Sequence, residues 1–297
     1  MKDHVTVGVD GSAASRAAAR WAAQEAALRQ VPLRLVHAVD WPLDPVLPGL
    51  GHQDADRRAA DRVLTGTARE LRRLHPQLDV TAWCPAARPA AALAAEAADA
   101  GLLVLGSRGP GGLLGSVVGS VALSTVVATV TPVVLVRAAT TATATAGRET
   151  PDALPSGEIV VGVDVHEGCD RVLAFAFEEA ARRDCPLRVV HGWKTPAAHA
   201  YVPFFDPDEE RDIGRSAART MDDLLAPWRR GFPEVNVTPT VFRGPAGERL
   251  VRAGRGAALV VVGRHLSRSP LGGHLGPVAH AVLHHCAAPV AVIAHDP

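Results

Sequence analysis

The sequence predicts an α/β protein made of two tandem domains, each a doubly wound, five-stranded parallel sheet. Three observations carry this. The same series of apolar segments occurs twice in the 297 residues, short apolar runs alternate with segments of helical period within a copy, and a stretch of small and polar residues separates the copies. Alternating strands and helices, with strands apolar on both faces, form parallel sheets covered on both sides. Right-handed crossovers then favour winding in both directions from a central strand.

The duplication can be followed residue by residue. His4-Val-Thr-Val-Gly-Val-Asp10 aligns with Glu158-Ile-Val-Val-Gly-Val-Asp164, and Pro32-Leu-Arg-Leu-Val-His37 with Pro186-Leu-Arg-Val-Val-His191, both at an offset of 154. Leu103-Val-Leu-Gly106 aligns with Val260-Val-Val-Gly263, and the segment from Pro132 with that from Pro289, both at an offset of 157. The drift of three fits an insertion between the blocks. Residues 139–157 are small, polar and punctuated by Pro and Gly, which marks a flexible linker. The domains are therefore expected at 1–138 and 158–297.

In the first copy, residues 5–9 form an apolar strand. Residues 12–29 are Ala-rich, with Trp21, Ala22, Glu25 and Leu28 at helical spacing and Ser12 as a good cap. Residues 33–39 are the second strand. Residues 40–53 hold three prolines and two glycines and form a loop. A charged amphipathic helix is expected over 54–75, a third strand over 78–84, and a helix over 89–100. Residues 102–105 are a wholly apolar fourth strand, 106–118 a Gly-rich loop, 120 to about 130 a helix, and 133–136 the fifth strand.

Composition narrows the function classes. Lys+Arg and Asp+Glu are both 31, so no net charge favours nucleic acid or an anionic membrane. No apolar run reaches the roughly 18 residues of a membrane span, and the N-terminal residues lack a signal-peptide core. A soluble cytoplasmic protein is expected. Cys84, Cys169, Cys185 and Cys286 form no CxxC pair, which argues for reduced thiols rather than a zinc ribbon or redox site. His280 and His284 stand four apart on an expected helix, a spacing that can bind zinc, but they are read as surface or interface histidines rather than zinc ligands. No metal site is expected from protein ligands.

The chemistry lies in Gly106-Ser-Arg-Gly109-Pro-Gly-Gly-Leu-Leu-Gly-Ser-Val-Val-Gly119-Ser120, which starts where an apolar strand ends and finishes where a helix begins. Glycines let backbone approach a ligand. Successive N–H groups can form an anion nest, and the helix start adds unpaired donors. A structural turn would use glycines too. The segment is not a P-loop, since neither Lys2 nor Lys194 follows a glycine. It is not a GxGxxG fingerprint either, because Gly115 comes one residue late after Gly109 and Gly111.

Gly106, Gly109, Gly119 and Ser120 fit G-x2-G-x9-G-[S/T], and in this the chain resembles the universal stress protein family. Val7-Gly-Val-Asp10, His37-Ala-Val39 and Thr131-Pro-Val-Val-Leu-Val136 look like that family too, and the likeness covers both copies. The resemblance implies an adenine nucleotide alpha hydrolase-like fold with strand order 3-2-1-4-5. It also implies ATP, with Mg²⁺ held mainly by phosphates and water. Val9 and Asp10 would face the nucleoside, with Asp10 accepting hydrogen bonds from it, and Ala38 would meet adenine through its backbone. Gly106, Arg108 and Gly109 would line the phosphates, and Gly119, Ser120 and Val121 would close the site with N–H groups. Asp10 also suits a capping role, and Arg108 also suits solvated surface. The family further implies docking of the two domains through their fifth strands as a pseudo-dimer, with homodimers beyond that.

The second copy keeps Asp164, Gly263 and Gly276, but Leu266 replaces Gly109 and Pro277 replaces Ser120. Leucine penalises φ > 0, and proline deletes both an N–H and a hydroxyl. The second nucleotide site is therefore expected to be degenerate, although Arg264, His265, Arg268 and His274 leave another anionic ligand open. Phosphoryl transfer needs a charge-neutralising group and a base, and neither a catalytic Lys nor an evident carboxylate accompanies the loop. The expectation is a nucleotide-responsive stress or regulatory protein without catalytic residues. The alternatives are a slow ATPase or phosphotransferase, and a nucleotide-independent dimerisation scaffold.

Overall fold

A computed structural model describes residues 4–39, 52–107, 118–138, 157–193, 207–266 and 275–296. The described residues up to 138 form one compact unit and those from 157 onward a second. The expected linker, apart from Gly157, lies outside them, as do residues 40–51 of the loop expected at 40–53, Arg108 and Gly109, while residues 52 and 53 of that loop are helical instead.

The first unit runs β1 (Val5–Gly8), α1 (Ala13–Arg29), β2 (Leu33–Val36), α2 (His52–Leu74), β3 (Val80–Trp83), α3 (Pro89–Asp99), β4 (Leu102–Ser107), α4 (Ser120–Ala128) and β5 (Val133–Arg137). Its strands lie in the order β3-β2-β1-β4-β5, all parallel. The second unit repeats this with β6 (Ile159–Gly162), α5 (Asp170–Arg183), β7 (Leu187–Trp193), α6 (Pro207–Gly231), β8 (Val237–Arg243), α7 (Ala246–Ala253), β9 (Leu259–His265), α8 (Pro277–His285) and β10 (Val290–His295). Its order is β8-β7-β6-β9-β10, again parallel. Both units thus have the expected 3-2-1-4-5 order.

The central strands are buried on both faces: Val5, Thr6 and Val7 of β1 and Ile159, Val160 and Val161 of β6 are essentially inaccessible. In β3, at one end of its order, only Val80 is buried and Trp83 is 54% exposed. Among the described residues no helix is long and apolar enough to cross a membrane.

The first helix of each unit carries a device not foreseen from sequence. Glu25 in α1 and Glu179 in α5 are buried, although both are charged residues. Glu25 pairs with Arg29, and Glu179 with Arg182 and Arg183. The chain then leaves both helices through a left-handed residue, Gln30 at φ 57° and Asp184 at φ 49°. The pairs tie the last turn of each helix just before the chain turns back into the sheet.

Element boundaries shift where local geometry overrides hydrophobic pattern. β2 stops at Val36, and Val39 keeps only a lone bridge to Ala86. β3 starts at Val80 because the Leu78 N–H donates back to His75 O in a turn. β4 runs on to Ser107, so Gly106 is a strand residue rather than the first loop residue, paired beside Val136.

Glu179→Ala removes the carboxylate shared by two arginines at a buried position. It should cost about 3–5 kcal/mol, as breaking a buried pair does, read by denaturant melts against the parent.

Candidate functional site

In a doubly wound sheet, ligands sit at the carboxyl ends of strands where the winding reverses. In the first unit that point lies between β1 and β4, which pair Val5 with Leu102 and Val7 with Val104. Val9 and Asp10 leave the carboxyl end of β1, and the Val9 N–H donates to Val36 O at 2.8 Å. Ala38 follows the adjacent β2, and Gly106 lies near the end of β4. Val9, Asp10, Ala38 and Gly106 therefore share one end of the sheet.

Asp10 holds the turn that precedes α1, while Ser12 is the residue that caps the helix. Asp10 Oδ1 accepts from the Ser12 N–H at 2.9 Å, while its own N–H donates to Ser15 Oγ at 3.3 Å. Ser12 Oγ in turn accepts from the Ser15 N–H at 3.1 Å and caps α1. Burial pushes the Asp10 carboxyl up, but hydrogen bonds from Ser12 and Ser15 outweigh it and hold the group below its ordinary 3.8. Ser15 was not singled out from sequence, although a hydroxyl five residues beyond Asp10 within the first helical turns is a recognisable partner.

Gly106 has a packing role as well. A Cβ there would lie 2.7 Å from the backbone of Ala14 and Ser15. The end of β4 is thus pressed against the first turn of α1, and only glycine allows that approach. Beside it, Ser107 Oγ is buried and has no hydrogen-bond partner among the described residues.

The first turn of α4 supplies donors. Gly119 is its N-cap at φ −62° and ψ 144°, and no described side chain caps it. The N–H groups of Ser120, Val121 and Ala122 have no intrahelical partner by helix geometry. Ser120 and Val121 are exposed, and nothing lies within 4 Å of a Cβ placed on Gly119. Such a terminus can hold an anion.

The second unit has the same framework with different contents. Asp164 Oδ1 accepts from the His166 N–H at 3.1 Å, reproducing the Asp10 turn. Gly276 caps α8 at φ −61° and ψ 161°, but Pro277 occupies the first helical position. A Cβ on Gly263 would meet the His295 ring at 2.5 Å rather than helix backbone. Here a cavity of about 680 Å³ opens at the carboxyl ends of β6, β7 and β9. Burial pushes the Cys169 thiol in it up to about 11, and the Asp170 carboxylate adds to that. Burial also pushes the Arg264 guanidinium down. All four cysteines are free, and among the described residues no three His, Cys, Asp or Glu gather into a metal-ligand set.

The duplicated, doubly wound parallel sheet defines the class of α/β protein to which the chain is to be compared. The model of the universal stress protein family matches residues 1–137 and 156–294. Universal stress protein Rv2005c of Mycobacterium tuberculosis (strain ATCC 25618 / H37Rv) is 32% identical over 299 aligned positions, spanning 98% of this chain and 97% of that protein. Universal stress protein Rv2623 of the same strain is 31% identical, spanning 97% and 95%. The crystal structure of a universal stress protein from Archaeoglobus fulgidus DSM 4304 shares the fold at a TM-score of 0.70, with 16% identity and 99% of both chains covered. The chain belongs to the universal stress protein family.

Two outcomes follow from this geometry. Gly106→Ala should destabilise the first domain by about 1–3 kcal/mol through overpacking, measurable as a lowered melting midpoint. Asp10 has a depressed folded-state pKa, so its contribution is complete above the ordinary 3.8 and lost as pH falls through the lower folded value. Asp10→Asn should therefore be less stable than the parent at neutral pH, and the gap should close on acidification below 3.8. A gap that stays constant with pH would contradict the hydrogen-bonded carboxylate.

Proposed function

We propose that the first domain binds ATP, with Mg²⁺, and that this protein is a nucleotide-responsive stress or regulatory protein rather than an enzyme of rapid turnover. The observation that carries this is the start of α4, where Gly119, Ser120 and Val121 present backbone donors with no side-chain cap among the described residues, following the strand at the winding reversal. That donor set suits phosphate, and Gly106, Gly109 and Gly119 would bring backbone rather than side chains to it. Arg108 would add charge to the phosphates, while Val9, Asp10 and Ala38 would receive the nucleoside end. The metal would neutralise charge between phosphate oxygens, which are its main ligands.

Binding without fast hydrolysis is favoured by the state of Asp10. Its Oδ1 is already an acceptor for Ser12, and a carboxyl held below 3.8 is a weak base. A water or hydroxyl nucleophile needs a positioned acceptor for its proton, and Asp10 is committed to the turn that starts α1.

Titration calorimetry on the full chain tests this. ATP should bind with one site per chain. Gly109→Val should block the phosphates sterically, and Ser120→Pro, which copies the second domain, should weaken binding about 10- to 100-fold through the lost donors. Parent-like ATP affinity in both variants would remove the assignment, and brisk steady-state phosphate release would replace it with the ATPase alternative.

A further inference from the structure

The crevice of the second unit carries a connection for which the first copy lacks the residues. Its winding reverses between β6 and β9, which pair Ile159 with Leu259 and Gly162 with Val262. Glu167 lies in the segment that leaves β6 for α5, and His265 is the last residue of β9. Glu167 Oε2 and His265 Nε2 are 2.9 Å apart. The pair therefore joins one side of the reversal point to the other, and both residues line the cavity there. In the first copy the positions of Glu167 and His265 are Ala13 and Arg108, and an alanine can make no such bridge.

His295 fixes the histidine of that pair. It is the last residue of β10 and is buried, and its ring packs on that of His265 with centroids 4.6 Å apart. Its Nδ1 lies 3.0 Å from Asp296 O. A carbonyl only accepts, so Nδ1 carries a proton and the backbone holds the ring in place. Gly263 makes room for it, since a Cβ there would lie 2.5 Å from His295 Nε2. The first copy has Ala138 in place of His295. Glu167, His265 and His295 thus form one connected group, and none of the three side chains recurs in the first copy.

Histidine is the side chain whose charge ordinarily changes between about pH 5 and 8. His265 and Glu167 each keep 45% of their side-chain surface, so protons reach the pair from solvent. With the proton on, the two form an ion pair. With it off, a neutral imidazole faces the carboxylate and the contact weakens. The other titratable groups around the crevice are Asp164, His166, Cys169 and Asp170 between β6 and the first turn of α5, His191 on β7, Arg264 on β9 and Asp296 after β10. The residues that α6, α7 and α8 place in the lining are uncharged.

We propose that Glu167 and His265 are a proton-operated strap across the mouth of the second-domain crevice, drawn closed when His265 is charged and slackened when it is neutral, with the packed His295 ring holding His265 in position. Falling pH through the histidine range therefore closes the crevice, and rising pH opens it. The device acts on access to the second domain whatever occupies it, and it does not rest on ATP binding by the first.

Cys169 reports that access. It lines the cavity, is 4% exposed and lies two residues beyond Glu167, so a thiol reagent meets it when the strap lets its segment move aside. The full chain is treated with dithiodipyridine, which reacts with thiols in mild acid as well as above neutrality, and the mixed disulfide at Cys169 is located by peptide mass spectrometry. Each variant is compared with the parent at the same pH, so that thiol ionisation cancels. At about pH 6, within the histidine range, Glu167→Gln and His265→Asn should each label about two- to fivefold faster than the parent, the span that a half-exposed ion pair allows. The double variant should label no faster than the single ones, because each removes the same interaction. At about pH 8.5, above that range, both gaps should narrow. If one variant does not fold, the other decides alone. Parent-like labelling at the lower pH in a folded variant, a gap equally wide at both pH values, or additive gaps in the double variant would each overturn the proposal. Failure of ATP to bind the first domain would leave these readings unchanged.

Discussion

The pairing of β1 with β4 on one side and β2 on the other is the constraint from which the rest follows. Parallel strands need crossovers, and crossovers of one hand force the helices onto opposite faces when the chain winds outward from a central strand in both directions. That leaves a crevice at the carboxyl ends of β1 and β4. It also brings the first turn of α1 against the end of β4, where the backbone of Ala14 and Ser15 leaves no room for a side chain on Gly106. Asp10, Ser12 and Ser15 secure that turn with mutual hydrogen bonds. Residues that would meet a ligand are therefore also the ones that join the first helix to the sheet, and holding the turn leaves the second carboxylate oxygen of Asp10 outside the hydrogen bond to Ser12.

Duplication made it possible to separate framework from contents. Strand order, the Asp turn, the buried Glu–Arg pair in the first helix and the left-handed residue after it occur in both units. Differences at the sheet's carboxyl end include Ser15 against Cys169, Ala13 against Glu167, Ser120 against Pro277, and Ala138 against His295.

Much of this was legible in the sequence because the signals were local. Ser12 before an Ala-rich run marks α1 to within a residue, and the apolar runs mark all five strands of the first unit. The errors also have local causes. The apolar run ending at Leu105 hid the two further residues of β4, because strand pairing with Val136 and Arg137 does not require apolar side chains. Val39 extended β2 on pattern alone, although the chain had already left the sheet. The cavity of the second unit was not legible. His191, Ile213, Leu250 and His295 lie far apart in the chain, and only the winding of the sheet and the course of α6 bring them to one place.

The degenerate second copy gains a different meaning once its electrostatics are set against the first. Leu266 and Pro277 read in isolation as losses, each deleting a feature that a phosphate needs. Glu167, 2.9 Å from His265 Nε2, and His295, whose ring stands over Gly263, put a carboxylate and an imidazole where the first copy has Ala13 and Ala138. Two crevices on one framework thus differ in what lines them: the first has backbone N–H groups at the start of α4, and the second has Pro277 at that position and Asp164 and Glu167 in its lining.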